Sequence, residues 1–244
     1  YYVIFNWELY KDDLKAILNT RNGGLAIYGG IIGAVTVGLI ICKIRKVKFL
    51  PMLDIISLGF LIGQGIGRWG NFVNQEAFGC NTGNIFGMTG GEIQDTILRN
   101  TAYSDGHMTA ESMNYLQTVH PCFLYESLWC LLGFLLISTY SKHRKYDGQI
   151  VLMYLAWYGA ERFIVEGLRT DSLMIGNFRV SQILSLVIFI ISVAIQIAMI
   201  FIRKKNPEKF VLYCNTEESK KLMESESGDN EEEQYESITD NDGE

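Results

Sequence analysis

Hydrophobic positions in this chain are gathered into long runs separated by polar stretches, rather than alternating residue by residue. The runs cover residues 25–44, 51–70, 122–140, 150–167 and 178–202. Each approaches the about 20 apolar residues that a helix needs to cross a bilayer core. Gly29, Gly30, Gly33 and Gly38 in the first run would let a neighbouring helix come close. Pro51 opens the second at a first-turn position, where its missing N–H is not needed. Ahead of the runs, residues 8–21 read as an amphipathic surface helix with Leu9, Leu14, Ile17 and Leu18 on one side, broken by Asn22-Gly23-Gly24.

The polar stretches set an orientation. Lys43, Arg45, Lys46 and Lys48 follow the first run, Lys142 to Lys145 the third, and Arg203 to Lys205 the fifth. Between residues 71 and 118, Arg99 is the only Lys or Arg. Basic residues gather on the cytoplasmic side of membrane proteins. The pattern therefore predicts an all-α polytopic membrane protein with about five spans, N-terminus outside and C-terminus cytoplasmic. It also predicts a long outer loop over 71–121, with short helices near 92–99 and 110–116. Domain organisation follows: a membrane-embedded domain over 1–206 and an acidic cytoplasmic tail over 207–244. The tail's Glu-, Ser- and Asp-rich part, 217–244, holds too few apolar residues for a core and is expected to be disordered.

Composition changes this picture little. The net charge of −6 over 244 residues comes mostly from the tail. No basic face is present, so no nucleic-acid partner is expected. Cys42, Cys80, Cys122, Cys130 and Cys214 have neither CxxC pairing nor metal spacing, which predicts no metal site and no disulfide framework. The chain opens on Tyr1-Tyr2-Val3-Ile4-Phe5, with neither Met nor a basic segment, so further residues upstream are expected.

The candidate chemistry lies at the outer ends of the runs. Arg68, Asn71, Asn74 and Glu76 follow Gly63-Gln64-Gly65-Ile66-Gly67, where hydrocarbon should be giving way to head groups. Ionisable groups at that depth are costly and by default mark function. A single Arg would snorkel to the interface, but the two Asn and the Glu have no such reason. Gly63 and Gly65 are not a nucleotide loop, since no strand precedes them. Arg162, Glu166 and Arg169 are spaced i, i+4, i+7 on one helical face, with Glu166 expected to orient both arginines. Guanidinium forks suit phosphate oxygens; the bland alternative is an ion-pair network that fixes helix packing. His120, before Pro121, reads equally as an interfacial cap and as a base near neutral pH. Tyr28 and Tyr125 lie at the same level, Glu126 one residue deeper, and Gln182 one turn into the last run. A single polar cavity open to the outer leaflet, holding an anionic lipid head group, accounts for them together. An anion transporter is the competing class, although no internal repeat supports it.

Four motifs carry a resemblance. Arg68-Trp69-Gly70-Asn71-Phe72-Val73-Asn74-Gln75-Glu76 through Gly79, His120-Pro121-Cys122-Phe123-Leu124-Tyr125-Glu126, and Arg162 through Glu166 to Arg169 resemble segments of the bacterial prolipoprotein diacylglyceryl transferases. Gln182-Ile183-Leu184-Ser185 resembles the family's final helix. The resemblance implies transfer of the diacylglyceryl group of phosphatidylglycerol to the lipobox cysteine of a preprolipoprotein signal peptide. The products are a thioether and glycerol phosphate, and the reaction is the first step of lipoprotein maturation. It implies a multi-pass protein of the bacterial plasma membrane facing the outer leaflet, with no cofactor. Its catalytic residues would be Arg68, Arg162, Glu166, His120 and Tyr28. Phosphatidylglycerol would be bound by Arg68, Asn71, Asn74, Glu76, Gly79, Tyr125, Glu126 and Arg169. Tyr28 stands where many relatives carry His, which leaves the base open between His120, another group and the substrate phosphate. Relatives begin with further spans, so this chain is expected to be a fragment, inactive alone. A different head-group transferase is the alternative enzyme.

Overall fold

The computed structural model describes residue 11 and residues 27–102, 113–170, 174–175 and 178–224. The amphipathic segment at 8–21, apart from residue 11, and the end of the tail, 225–244, lie outside the described residues. The chain divides into two units, Tyr1–Met52 and Leu53–Glu244.

The first unit contains α1 (Ile27–Ile44). Its C-terminus is closed by Lys46, at a left-handed φ of 57°, and by a bond from Val47 N–H to the Cys42 carbonyl at 2.9 Å. This wrap-around end satisfies carbonyls the helix would otherwise leave open.

The second unit takes in most of α2 (Phe49–Asn74), then α3 (Gly91–Ala102), α4 (Cys122–Ser141), α5 (Gln149–Leu168) and α6 (Val180–Lys205). Ahead of α6, β1 (Met174–Ile175) and β2 (Phe178–Arg179) form a small antiparallel hairpin. Burial is inverted relative to a protein in water. On α6 the buried residues are Ser185 and Ser192, while Ile183, Leu184, Ile190, Ile191 and Phe201 are exposed. On α4, Glu126, Ser127 and Cys130 are buried while Leu128, Leu131, Leu132, Leu135 and Leu136 are exposed. An exposed apolar surface of this extent is stable only against lipid.

Among the described residues, three helices are long and apolar enough to cross a membrane: α2, α4 and α6. Of the five runs, the first appears as a shorter apolar helix, Gly29–Ile44. The fourth forms α5, whose second half carries Glu161, Arg162 and Glu166. Glu161 and Arg162 turn to Cys130 and Glu126 of α4, Glu166 pairs with Arg162, and both glutamates are buried.

Small residues bring the helices together. A Cβ on Gly65 would stand 3.4 Å from Cys130 Cβ, so α2 and α4 touch there. Gly133 admits the Trp157 ring, and Gly159 lies under the Ser185 carbonyl of α6. Trp129 and Trp157 each donate an indole N–H to the other's backbone carbonyl, at 3.2 and 3.0 Å. At the start of α5, the buried Asp54 carboxylate of α2 accepts the N–H groups of Gly148 and Val151 at 2.8 and 2.9 Å. The helix is thus capped from 94 residues away.

The polar connection after α2 builds a core of its own from Phe78, Met88, Ile93, Ile97 and Val119, against Phe123 of α4. The helix expected near 92–99 is present as α3. The one expected at 110–116 is not: residues 113–116 are irregular and 110–112 lie outside the described residues. There Asn81 bonds the backbone of Asn114 in both directions and holds the segment open. The expectation of disorder from 217 is also corrected. Residues 217–224 are helical, because Thr216 caps the Ser219 N–H at 3.4 Å and Glu217 and Glu218 suit a helix start.

Candidate active site

Three helix ends converge to form the site. Glu126, 1% exposed, lies in the first turns of α4 and faces α2 and α5 because its neighbours Leu128 and Leu131 take the lipid side. Arg68 of α2 pairs with it directly through Nε. Arg162 Nη1 lies 3.7 Å and Arg169 Nη1 3.9 Å from its other oxygen. Arg162 Nη2 pairs with Glu166 Oε2 at 2.7 Å across one helical turn. Arg179, from β2, donates to the Glu166 carbonyl.

The arginines outnumber their carboxylates. Arg68, Arg162 and Arg169 surround the carboxylates of Glu126 and Glu166, Arg179 reaches the Glu166 main chain, and Arg162 Nη1, Glu126 Oε2 and Glu166 Oε2 are each buried without a hydrogen-bond partner. A buried, partly unsatisfied guanidinium cluster with excess positive charge is a poor stabiliser on its own. It suits an anion with several acceptor oxygens. Among the described residues no group of three His, Cys, Asp or Glu side chains could hold a metal ion.

One expectation about this cluster is corrected. Arg162 is the arginine seen paired with the Glu166 carboxylate, and Arg169 lies against Glu126. The helix ends at Leu168, and Arg169 is extended, with φ −71° and ψ 147°. It therefore leaves the i, i+7 face and turns to Glu126. The second arginine at Glu166 is Arg179, which sequence reasoning missed. It is separated from Glu166 by the hairpin, and no spacing rule links the two.

Gly79 ties the outer segment to this cluster. It bridges to Arg169 and donates its N–H to the His120 carbonyl at 3.0 Å, while Cys80 N–H donates to the Leu168 carbonyl at 3.0 Å. A Cβ at Gly79 would lie 2.8 Å from His120 Cβ and 3.0 Å from the Leu168 carbonyl oxygen, so only glycine fits this three-way junction. His120 Nδ1 lies 3.1 Å from the Tyr125 hydroxyl, which also receives the Asn84 amide at 3.5 Å.

The remaining candidates do not all share this place. Asn74 donates to Glu76 at 3.1 Å, and both line a polar pocket of about 310 Å³ with Glu92, Thr96 and Thr170. The backbone there is left-handed at Gln75 and Ala77, with φ of 54° and 56°, and Gln75 caps α3 through the Glu92 N–H at 3.1 Å. Asn71 is half-buried on the last turns of α2. Gln182 donates to the Phe163 carbonyl and so acts as a helix tie. Tyr28 belongs to the first unit, and the cluster is built from residues of the second alone. In place of one cavity, the described residues form an arginine clamp, a polar pocket and a His120–Tyr125 pair, joined through Gly79 and Arg169.

Comparison with known proteins agrees with these motifs. Residues 1–198 match the family model described as prolipoprotein diacylglyceryl transferase. Among curated relatives, a phosphatidylglycerol–prolipoprotein diacylglyceryl transferase of Listeria monocytogenes is 45% identical over 195 residues, covering 80% of this chain and 66% of the relative. Those of Finegoldia magna and Bacillus mycoides are 47% and 45% identical, covering 81% and 84% of this chain and 70% of each relative. The chain therefore spans about two thirds of the length of the curated relatives it matches. With a family match over most of its length and the clamp built from the same motifs, the chain belongs to the prolipoprotein diacylglyceryl transferase family.

Proposed function

We propose that the protein transfers the diacylglyceryl group of phosphatidylglycerol to the lipobox cysteine of a preprolipoprotein, forming a thioether and releasing glycerol phosphate. The observation that carries this reading is the clamp: four arginines around two buried carboxylates, with an unsatisfied Arg162 Nη1, at the end of lipid-facing helices. Family membership supports the same chemistry, since the curated relatives bear that activity in their names.

In this reading Arg68 and Arg162 hold the phosphodiester and stabilise the charge that grows on it as the glyceryl carbon–oxygen bond breaks. Glu166 fixes the Arg162 fork, and Glu126 fixes Arg68 and Arg169. Gly79 holds Arg169 in register. His120 and Tyr125 form a hydrogen-bonded pair at the outer rim. Asn71, Asn74 and Glu76 bind the polar part of the lipid, with the pocket beside Thr170 receiving its hydroxyl-bearing end. The site faces the outer leaflet of the bacterial plasma membrane, with five spans in this chain and the tail from 207 in the cytoplasm. The reaction uses no cofactor.

The test is an assay in membranes, on a version of the protein extended to the full length of its relatives, with phosphatidylglycerol and a lipobox peptide carrying one free cysteine. The expected result is a peptide mass gain of one diacylglyceryl unit with matching glycerol phosphate release, both lost in Arg162→Ala. An unmodified peptide with intact lipid, from folded protein, refutes the transfer.

A further inference from the structure

We propose that the turn carrying Ile85 and Phe86 inserts into the outer leaflet of the bilayer beside the start of α4, where it anchors the outer segment to lipid; the choice of leaflet rests on the placement proposed above. The turn is held at two points. The Asn84 side-chain amide donates to the Tyr125 hydroxyl at 3.5 Å, which keeps the turn within side-chain reach of the first turn of α4. On its other side the turn is pressed against residues 113–118. A Cβ on Gly87 would stand 2.6 Å from Thr118 Oγ1, the Thr118 hydroxyl donates to the Thr82 carbonyl at 2.7 Å, and Thr82 N–H donates to the Thr118 carbonyl at 2.8 Å. Between these points Ile85 is 90% and Phe86 61% exposed, and Leu116 of the neighbouring turn is 72% exposed.

Continuity with the lipid-facing surface names the occupant. Tyr125, Leu128 and Leu132 are spaced i, i+3, i+7 and share one face of α4. Leu128 and Leu132 are exposed on that face, as a helix surface meeting hydrocarbon is. The Asn84–Tyr125 contact puts Ile85 and Phe86 at the outer end of this stripe, where acyl chains give way to head groups. Neither 77–91 nor 113–119 contains an Asp, Glu, Lys or Arg, so insertion strips no charge of its water. The backbone is equally prepared. The N–H groups of Asn84, Phe86, Gly87 and Met88 donate to Thr82 Oγ1, Asn84 Oδ1, the Asn84 carbonyl and the Val119 carbonyl, at 3.1, 3.2, 2.9 and 3.0 Å. Donors already bonded within the protein lose little on leaving water, whereas free ones are costly in lipid. In water the two side chains would only expose apolar area; in the leaflet they bury it.

The anchor bears on the clamp through two neighbouring residues. Met88 and Val119 exchange both backbone hydrogen bonds, at 3.0 and 2.9 Å, and the carbonyl of the next residue, His120, receives the Gly79 N–H. Gly79 in turn bridges to Arg169. A lipid contact at Ile85 and Phe86 therefore holds the outer segment against the bilayer at the end that carries His120 and the Gly79 junction.

The test uses the protein extended to the length of its relatives, in vesicles of phosphatidylglycerol and phosphatidylcholine, with Cys80, Cys214 and any exposed cysteine of the added segment replaced by serine. A nitroxide is attached to Ile85→Cys, with Leu132→Cys as the lipid reference and Asp95→Cys, on the charged side of α3, as the water reference. Oxygen concentrates in the bilayer and a nickel chelate stays in water, so the ratio of their collision rates with the label reads its surroundings. The ratio at Ile85→Cys should stand several-fold above that at Asp95→Cys and approach that at Leu132→Cys. A ratio equal to that at Asp95→Cys overturns the inference. So does a label shielded from both reagents, since a second copy of the chain or the polypeptide substrate would then cover the turn. The leaflet is tested separately, in intact cells, with a thiol reagent that cannot cross the membrane: modification of Asp95→Cys supports the outer side, and none overturns it. Neither readout needs turnover, so a protein that transfers nothing refutes the proposed function without touching the anchor.

Discussion

Glu126→Gln is the sharpest single perturbation of the clamp. It keeps the shape of the side chain and deletes the charge that Arg68, Arg162 and Arg169 share. The two longer pairs stand at 3.7 and 3.9 Å, where a unit pair at an effective dielectric of about 20 is worth about 4 kcal/mol. Arg68, in closer contact and 23% exposed on its side chain, can turn partly toward water and recover some of its loss. Arg162 and Arg169 are less exposed, at 18% and 12%, and recover less. Breaking a buried pair by removing one partner typically costs about 3–5 kcal/mol, and the geometry here places Glu126→Gln in that range. The assay is unfolding in detergent micelles followed by tryptophan emission, with Trp69, Trp129 and Trp157 close to the cluster as reporters. Adding Arg68→Met to Glu126→Gln removes one orphaned cation and should restore about 1 kcal/mol or more. A loss below about 1 kcal/mol for Glu126→Gln, or no recovery in the double variant, would refute a clamp organised on this carboxylate.

Other substitutions probe the parts that hold the clamp in place. Gly79→Ala drives a methyl into His120 and the Leu168 carbonyl; it should cost about 1–3 kcal/mol in the same unfolding assay and displace Arg169. Asp54→Ala leaves the Gly148 and Val151 N–H groups without their acceptor, so stability should fall by about 1–2 kcal/mol while the peptide-modification assay still detects product. Arg162→Lys keeps the charge but loses the two-pronged contact to Glu166 and phosphate; transfer should fall about 100-fold or more, read as the rate of glycerol phosphate release.

The legible part of this protein is the part fixed by local pattern. Apolar runs gave the helix positions to within a few residues, because twenty hydrophobic residues in a row have few other uses. The i, i+4 spacing of Arg162 and Glu166 was enough to pair them, since helix geometry alone makes them neighbours. What could not be read depends on distant partners. Asp54 carries no signal in the sequence; its bonds to residues 148 and 151 are what place it at a helix start. Arg179 meets the Glu166 carbonyl only because α5 ends at Leu168 and the hairpin follows. The outer segment read as a polar loop because its core residues, Phe78, Met88, Ile93, Ile97 and Val119, are too scattered to show a period. Arg169 was misplaced for a related reason: the spacing is helical, but the helix stops one residue before it.

Whether the clamp holds the phosphate of phosphatidylglycerol is tested most directly by lipid retention. The parent, Arg162→Ala and Arg68→Ala proteins would be extracted from the same membranes, and bound lipid measured by native mass spectrometry. Loss of a charge-assisted contact of about 1.5–3 kcal/mol predicts that each arginine variant retains about 10- to 100-fold less phosphatidylglycerol than the parent. Equal retention by all three folded proteins would contradict the clamp and leave the arginines as a packing device.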